Sequence, residues 1–191
     1  MISRIEHVSL AVNDYDKAVY FFQNILGAVP GVGAEDSHLK FYWQIFSLGD
    51  LSRLELIKPT GEGSFLENFL TDKKDGGVHH ITLQTPDIRK VKEFLEKENI
   101  PYFGFNEFGD IWKELFIHPK DAFGILIQIA QLNPDDYLDE SVKFTNSRRW
   151  FVERTIEGCR LCFSHPGGGK VELELTDKER KALIKDLSEN G

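Results

Sequence analysis

Residues 76–87 read Gly76-Gly77-Val78-His79-His80-Ile81-Thr82-Leu83-Gln84-Thr85-Pro86-Asp87, and an earlier version of that run stands at residues 4–14, Arg4-Ile5-Glu6-His7-Val8-Ser9-Leu10-Ala11-Val12-Asn13-Asp14. An offset of 73 residues sets His80 on His7, Ile81 on Val8, Leu83 on Leu10, Asp87 on Asp14, Lys90 on Lys17 and Phe94 on Phe21 without a gap. The same offset carries Leu54-Glu55-Leu56 onto Ile127-Gln128-Ile129. Each half therefore opens on a His and, 48 residues later, sets an acid or an amide between apolar neighbours. A duplicated module fixes both the fold and its symmetry axis.

Working through the first copy, residues 4–12 alternate, with Val8, Leu10 and Val12 on one face and His7, Ser9 and Ala11 on the other, as in a strand with one face under helices. Asn13 or Asp14 caps a helix in which Ala18, Phe21, Phe22, Ile25 and Leu26 recur at helical spacing until Gly27. A loop rich in Gly and Pro runs over 27–33, and strands are expected at 39–48 and 51–57, joined by a turn at Gly49 and Asp50 and closed by Pro59. The second copy repeats this order. Its strand begins at Val78, its helix follows Pro86 and Asp87 with Ile88, Val91, Phe94 and Leu95 inward, and its last strands fall at 112–117 and 124–131. The sequence thus predicts an α+β fold of two tandem βαβββ modules, 1–60 and 76–132. The linker 61–75 holds a short amphipathic helix of Phe65, Leu66, Phe69 and Leu70. From Asn133 the repeat ends on the turn-prone Pro134-Asp135-Asp136. The extension 133–191 is read as β-β-β-α, with strands at 150–156, 160–164 and 170–175 and a helix whose Thr176 and Glu179 have capping-box spacing.

The 191 residues carry 41% hydrophobic side chains, enough for a core, and a formal charge of −8. That balance lacks the clustered Lys and Arg that nucleic acid or an anionic membrane requires, so neither is an expected partner. A secretory signal and a membrane span are also missing from the pattern, which predicts a cytoplasmic protein and leaves a homodimer open. Cys159 and Cys162, three residues apart, are poorly spaced for a structural disulfide.

Two such modules closing around a pseudo-two-fold axis bring four side chains together: His7, Glu55, His80 and Gln128. Two imidazole nitrogens and two oxygens suit one divalent first-row ion (Zn, Co, Ni, Mn or Fe) with positions left for water or substrate. A buried carboxylate without a partner is expensive, and a cation supplies one. Of the adjacent pair, His80 is the expected ligand. It matches His7, whereas simple alternation puts His79 on the face of Ile81 and Leu83, beneath the helices.

The runs RIEHVSLAVNDYDKAV, LELIKPTGEGSFLENFL, GGVHHITLQTPDI and FIHPKDAFGILIQ resemble the vicinal oxygen chelate superfamily, and within it the methylmalonyl-CoA epimerases, with glyoxalase I a more distant likeness. The resemblance implies a glyoxalase-like open barrel in which His7, Glu55, His80 and Gln128 fall on the metal ligands. It also implies an isomerase or lyase that moves a proton through an enolate of a small keto or carboxylic acid or an acyl-thioester. Pocket walls are expected from 41–46 and 103–112, with Tyr42, Trp43, Trp112 and His118 on the substrate. The chain also departs from the epimerase pattern. By that resemblance, Gln is expected at position 55 and a basic Glu at 128, with a second Glu on a middle strand of the first half, where residues 39–46 hold no acid. Racemising a carbon needs a base on each face and Gln128 accepts no proton, so Glu55 is left as the one expected base. Glu114, Tyr42 and His118 stand in reserve, Glu114 being read chiefly as a solvated or ion-paired residue.

Two other activities compete with this reading. His7, His80 and one carboxylate form a two-His-one-carboxylate set for an Fe(II) dioxygenase, and the same fold serves a non-catalytic small-molecule binder. Cys159-x-x-Cys162-x-x-His165 looks like part of a zinc knuckle but lacks a fourth ligand nearby. The run Pro166-Gly167-Gly168-Gly169-Lys170 reads as a hairpin turn, and Arg148-Arg149-Trp150 as surface.

Overall fold

The computed structural model describes residues 1–48, 52–137, 139, 150–164 and 170–189. The expected turn at Gly49 and Asp50, His165, the glycines 167–169 and the pair Arg148 and Arg149 lie outside these residues. The chain divides into two compact units, Met1–Asp139 and Glu140–Gly191.

The first unit is the duplicated part. Its first module runs β1 (Arg4–Val12), α1 (Tyr15–Val19), a π turn (Tyr20–Ile25), β2 (Val29–Asp36), β3 (Phe41–Ser47) and β4 (Arg53–Pro59). After α2 (Leu66–Leu70), the second runs β5 (Gly76–Gln84), α3 (Ile88–Lys97), β6 (Phe103–Phe108), β7 (Trp112–Ile117) and β8 (Leu126–Leu132). Among the described residues these make one eight-stranded sheet in the order β2-β3-β4-β1-β5-β8-β7-β6. The order is a palindrome of modules: β1 pairs parallel with β4, β5 pairs parallel with β8, and β1 meets β5 antiparallel at the centre. The repeat seen in the sequence is thus a two-fold about the β1–β5 seam. Asp14 and Asp87, equivalent at the offset of 73, cap α1 and α3 alike by accepting from the N–H of Lys17 and of Lys90.

Alternation along the strands sorts side chains between two faces. Leu10, Val12, Phe46, Leu54 and Leu56 pack with Ala18, Val19 and Phe22 of the first helical segment, and Leu115 and Ile129 pack with Ile88, Val91 and Leu95 of α3. The opposite faces keep Trp43, Ile45, Glu55, Glu114 and Gln128 for the cavity. Leu66 and Leu70 of α2 pack on Ala11 and Ile57 and hold the linker against the first module.

Several expectations need correction. The third strand that the βαβββ pattern calls for in the first module is the edge strand 29–36, which extends beyond the loop expected at 27–33. Pro30 is tolerated because β2 pairs on one side, through a bulge between Pro30 and Gly33. Phe21, Ile25 and Leu26 are exposed where an inward stripe was expected, since the wider π turn breaks the 3.6-residue spacing after Val19. Phe94 is likewise exposed.

The second unit contains β9 (Trp150–Arg154), β10 (Gly158–Ser164), β11 (Lys170–Thr176) and α4 (Asp177–Glu189), with β10 central and antiparallel to both neighbours. The capping box forms as its spacing predicts: the Thr176 N–H donates to Glu179 Oε2 at 2.8 Å and the Glu179 N–H to Thr176 Oγ1 at 3.3 Å. Cys159 and Cys162 are buried and are not joined in a disulfide. Among the described residues, no helix is long and apolar enough to cross a membrane.

Candidate active site

The two central strands each carry a β-bulge, and the bulges decide what surrounds the histidines. On β1, Ile5 faces Leu83 and His7 faces Thr82, so Glu6 is the extra residue. On β5, Ser9 faces His80 and Leu10 faces Val78, so His79 is the extra residue. A bulge breaks alternation and re-aims a side chain. Glu6 turns in and its carboxylate meets His7 Nδ1, while His79 Nδ1 lies 2.9 Å from His80 Nδ1. Glu6 and His79 are equivalent at the offset of 73. This corrects the placement of His79 beneath the helices. It lines the cavity, its ring against Phe65 and Phe69 with centroids 5.5 and 4.9 Å away.

With the Nδ1 atoms so engaged, both Nε2 atoms face Glu55, whose Oε2 lies 3.6 Å from His7 Nε2 and 3.5 Å from His80 Nε2. Ligand atoms of His7, Glu55 and His80 all fall within 4.8 Å of one another, and all three residues are buried. Glu55 Oε2 is buried with no hydrogen-bond partner among the described residues. Gln128 adjoins the group through Thr82, whose hydroxyl lies 2.8 Å from His7 Nε2 and donates to Gln128 Oε1 at 2.5 Å. The Gln128 amide donates to Glu114 Oε2 at 2.7 Å, and that oxygen also accepts from Trp112 Nε1 at 2.8 Å. A continuous hydrogen-bonded chain therefore runs from Glu6 through His7, Thr82 and Gln128 to Glu114, crossing from one module to the other.

The electrostatics follow from burial and neighbours. Burial pulls the His7 imidazolium down, but the Glu55 and Glu6 carboxylates outweigh it and raise its pKa. Burial alone would push Glu6 up, yet His7, Arg53 and Arg4 hold it below the usual carboxylate range. Arg53 Nη2 lies 2.5 Å from Glu6 Oε1. Glu55 is raised, first by burial, with His7 opposing. His80 is depressed well below its ordinary value by burial and then by the charges of His7 and His79, and burial brings His79 down to about 4. His80 is thus a neutral imidazole with a lone pair to offer.

These residues lie in a cavity of about 710 Å³ whose walls are largely aromatic: Phe41, Trp43, Phe65, Phe103, Phe108, Trp112 and Phe116. Of the substrate-binding residues expected from the sequence, Trp43 and Trp112 line it and two do not. Tyr42 points to the helical face, its ring against Tyr15 at 5.5 Å, because Phe41, Trp43 and Ile45 take the alternate positions of β3. His118 caps the short turn Pro119–Asp121, accepting from the Lys120 N–H. Glu114, read from sequence as solvated, lines the cavity and accepts three donors, Asn106 Nδ2 being the third at 3.3 Å. Alternation with Trp112 and Phe116 was the signal for it. Tyr137 was missed altogether. It ends the short turn Pro134–Tyr137 after β8, and its ring lines the cavity in contact with Trp43 (centroids 6.3 Å) and Trp112 (5.7 Å). Its backbone carbonyl passes so close to Gly31 that a Cβ there would lie 2.5 Å from the oxygen.

The donor set fits a divalent first-row cation. Two imidazole Nε2 atoms and an otherwise unpartnered buried carboxylate oxygen converge, each imidazole is held through Nδ1, and the Gln128 amide donates to Glu114 while its oxygen accepts from Thr82 beside His7.

Comparison with known proteins agrees with this architecture. The family described as Glyoxalase/Bleomycin resistance protein/Dioxygenase superfamily matches residues 6–110. An ethylmalonyl-CoA/methylmalonyl-CoA epimerase from Cereibacter sphaeroides is 35% identical over 135 residues, covering 69% of this chain and 100% of that protein. The human mitochondrial methylmalonyl-CoA epimerase is 33% identical over 132 residues, covering 68% and 74%. Among solved structures, a methylmalonyl-CoA epimerase from Mycobacterium tuberculosis shares the fold with a TM-score of 0.62 at 23% identity, over 69% of this chain and 89% of its own. The duplicated βαβββ sheet, the histidine on each central strand and these matches place the chain in the glyoxalase/bleomycin resistance protein/dioxygenase superfamily, to which it belongs as a member resembling the methylmalonyl-CoA epimerases.

Proposed function

We propose that this chain is an isomerase that moves a proton at the carbon beside the thioester carbonyl of a small acyl-CoA. In this reading His7, Glu55, His80 and Gln128 hold one divalent metal, and Glu55 and Glu114 handle the proton. The observation that carries it is that, of the four acids lining the cavity, Glu6 is engaged by His7 and Arg53 and Asp36 by the backbone N–H groups of His38 and Leu39, which leaves Glu55 and Glu114, on β4 and β7, the strands that flank β1, β5 and β8. Sequence put Glu55 first and held Glu114 in reserve, and in this reading Glu114 is the second base that inversion at carbon requires. Ile45 faces Glu55 as Phe116 faces Gln128, so Glu114 sits at the two-fold equivalent of Trp43, on the middle strand of the other half.

Each side chain then has a task. The raised pKa of Glu55 brings its carboxylate closer to the range in which a general base both takes and returns a proton. Glu114 takes Trp112 and the Gln128 amide on Oε2, fixing that amide, and has further acceptor capacity on Oε1 beside Asn106. A divalent ion, when bound, stabilises negative charge developing on the substrate oxygens. The aromatic walls and Tyr137 exclude water from a carbanion-like species. The relatives' activities toward ethylmalonyl- and methylmalonyl-CoA, as their names state, supply the substrate class.

The test is proton exchange at the α-carbon of (2R)- and (2S)-methylmalonyl-CoA in D₂O, using protein reloaded with each of Zn, Co, Ni, Mn and anaerobic Fe. Wild type is expected to interconvert and label both epimers. Glu55→Gln and Glu114→Gln should each abolish interconversion while each still labels one epimer, a different one in each case. Absence of both exchange and interconversion with every ion would overturn the reading. The trio His7, His80 and Glu55 also matches a two-His-one-carboxylate iron site, and substrate-dependent oxygen uptake by the Fe(II) form would favour that chemistry instead.

A further inference from the structure

The two bulges on the central seam place different acceptors behind the two histidines. We infer that His79 is a positioning residue that fixes the tautomer of His80, accepting the His80 Nδ1–H at its own Nδ1 so that the His80 Nε2 lone pair faces Glu55 and the centre of the cavity. The inference rests on the metal site proposed above but concerns a residue outside its ligand set.

Glu6 and His79 are the extra residues of the two bulges and are equivalent under the duplication. A carboxylate at position 6 can only accept, so His7 Nδ1 must carry a hydrogen toward it. The equivalent contact, His79 Nδ1 to His80 Nδ1 at 2.9 Å, is also of hydrogen-bond length, and one of the two nitrogens must carry the hydrogen. If His79 donated, His80 would be left with a hydrogen on Nε2, aimed at Glu55 Oε2 3.5 Å away and useless to a cation. If His80 donates, both histidines present bare Nε2 atoms to the same point once His7 loses its Nε2 proton to an arriving ion. The ring of His79 is fixed by Phe65 and Phe69, so the acceptor does not wander. The device is asymmetric. His7 is backed by an anion and becomes the stronger donor, and His80 is backed by a neutral ring and becomes the weaker one. Partners of this kind are worth about 10–100-fold in metal affinity.

The experiment compares wild type with His79→Phe, which keeps the aromatic packing but cannot accept, and His79→Gln, which restores an acceptor. Long-range ¹H–¹⁵N NMR of the metal-free proteins reads the His80 tautomer directly, and competition with a chromogenic chelator reads Co(II) affinity. Thermal unfolding confirms that each variant is folded. Wild type is expected to hold the hydrogen on His80 Nδ1. His79→Phe should show mixed tautomers and about 10–100-fold weaker Co(II) binding, and His79→Gln should return both toward wild type. An unchanged His80 tautomer in His79→Phe would overturn the inference, as would a wild-type hydrogen on Nε2. Failure of wild type to bind any metal would instead overturn the metal site, leaving the NMR result to judge His79 alone.

Discussion

Glu6 shows how one buried side chain can matter twice. It orients His7 through Nδ1, and it faces the guanidinium groups of Arg53 and Arg4, the latter 3.6 Å away. Removing one member of a buried ion pair leaves charge behind in a medium that solvates it poorly, at a cost of about 3–5 kcal/mol. Glu6→Ala is therefore expected to lose stability in that range in urea unfolding of the metal-free protein. Glu6→Gln, which keeps an acceptor, should lose less. Nothing in the sequence pointed to Glu6. It precedes a histidine in a strand, and strict alternation assigns it to the face of Val8 and Leu10 beneath the helices, so only the bulge reveals it. Glu55, His7, His80 and Gln128 were legible because the duplication singled them out together, whereas Glu6 and His79 were not, since a bulge leaves no mark in a hydrophobic pattern.

Strands and helices were easier to read than the segments that connect them. The central strands, both capped helices and the β-β-β-α of the extension follow from alternation, caps and turns. The π turn and the edge strand β2 do not, because one arises from a local slip in helical spacing and the other from pairing to β3. The turn Pro134–Tyr137 belongs to the same class, since its position at the cavity is set by long-range packing. Its passage over Gly31 gives a direct test. A methyl group at Gly31 would collide with the Tyr137 carbonyl, so Gly31→Ala is expected to cost about 1–3 kcal/mol and to displace Tyr137 from Trp43 and Trp112. A lowered Tm together with a shifted tryptophan emission would confirm it, and an unchanged spectrum would show that the turn does not depend on this approach.

Considered together, the buried titrating groups give the metal-free protein a defined acid response. His79, down to about 4, and His80, depressed well below its ordinary value by burial, are neutral when folded but take up protons near 6.5 when unfolded. Their contribution is fully present above about pH 6.5 and is lost as pH falls toward their folded values. Two protons taken up on unfolding give a slope of about 2.7 kcal/mol per pH unit across that window. Glu55, raised in the folded state, opposes this loss as pH approaches its folded pKa, whereas Glu6, lowered, adds to it below about 4.5. His7, raised, contributes fully below 6.5 and loses that contribution as pH rises through its folded pKa. Denaturant unfolding between pH 4 and 7 is expected to show falling stability toward acid, with a shallower slope in His79→Phe.

The hydrogen bond from Gln128 to Glu114 also bears on descent. A mutation to Glu at 128 would set two carboxylates against each other where an amide and an acid now meet at 2.7 Å, and one of them would have to stay protonated. Glu114 therefore guards the amide. Exchange at either position is thus coupled to the other, and an acid at 128 is tolerated more readily once Glu114 has become an amide.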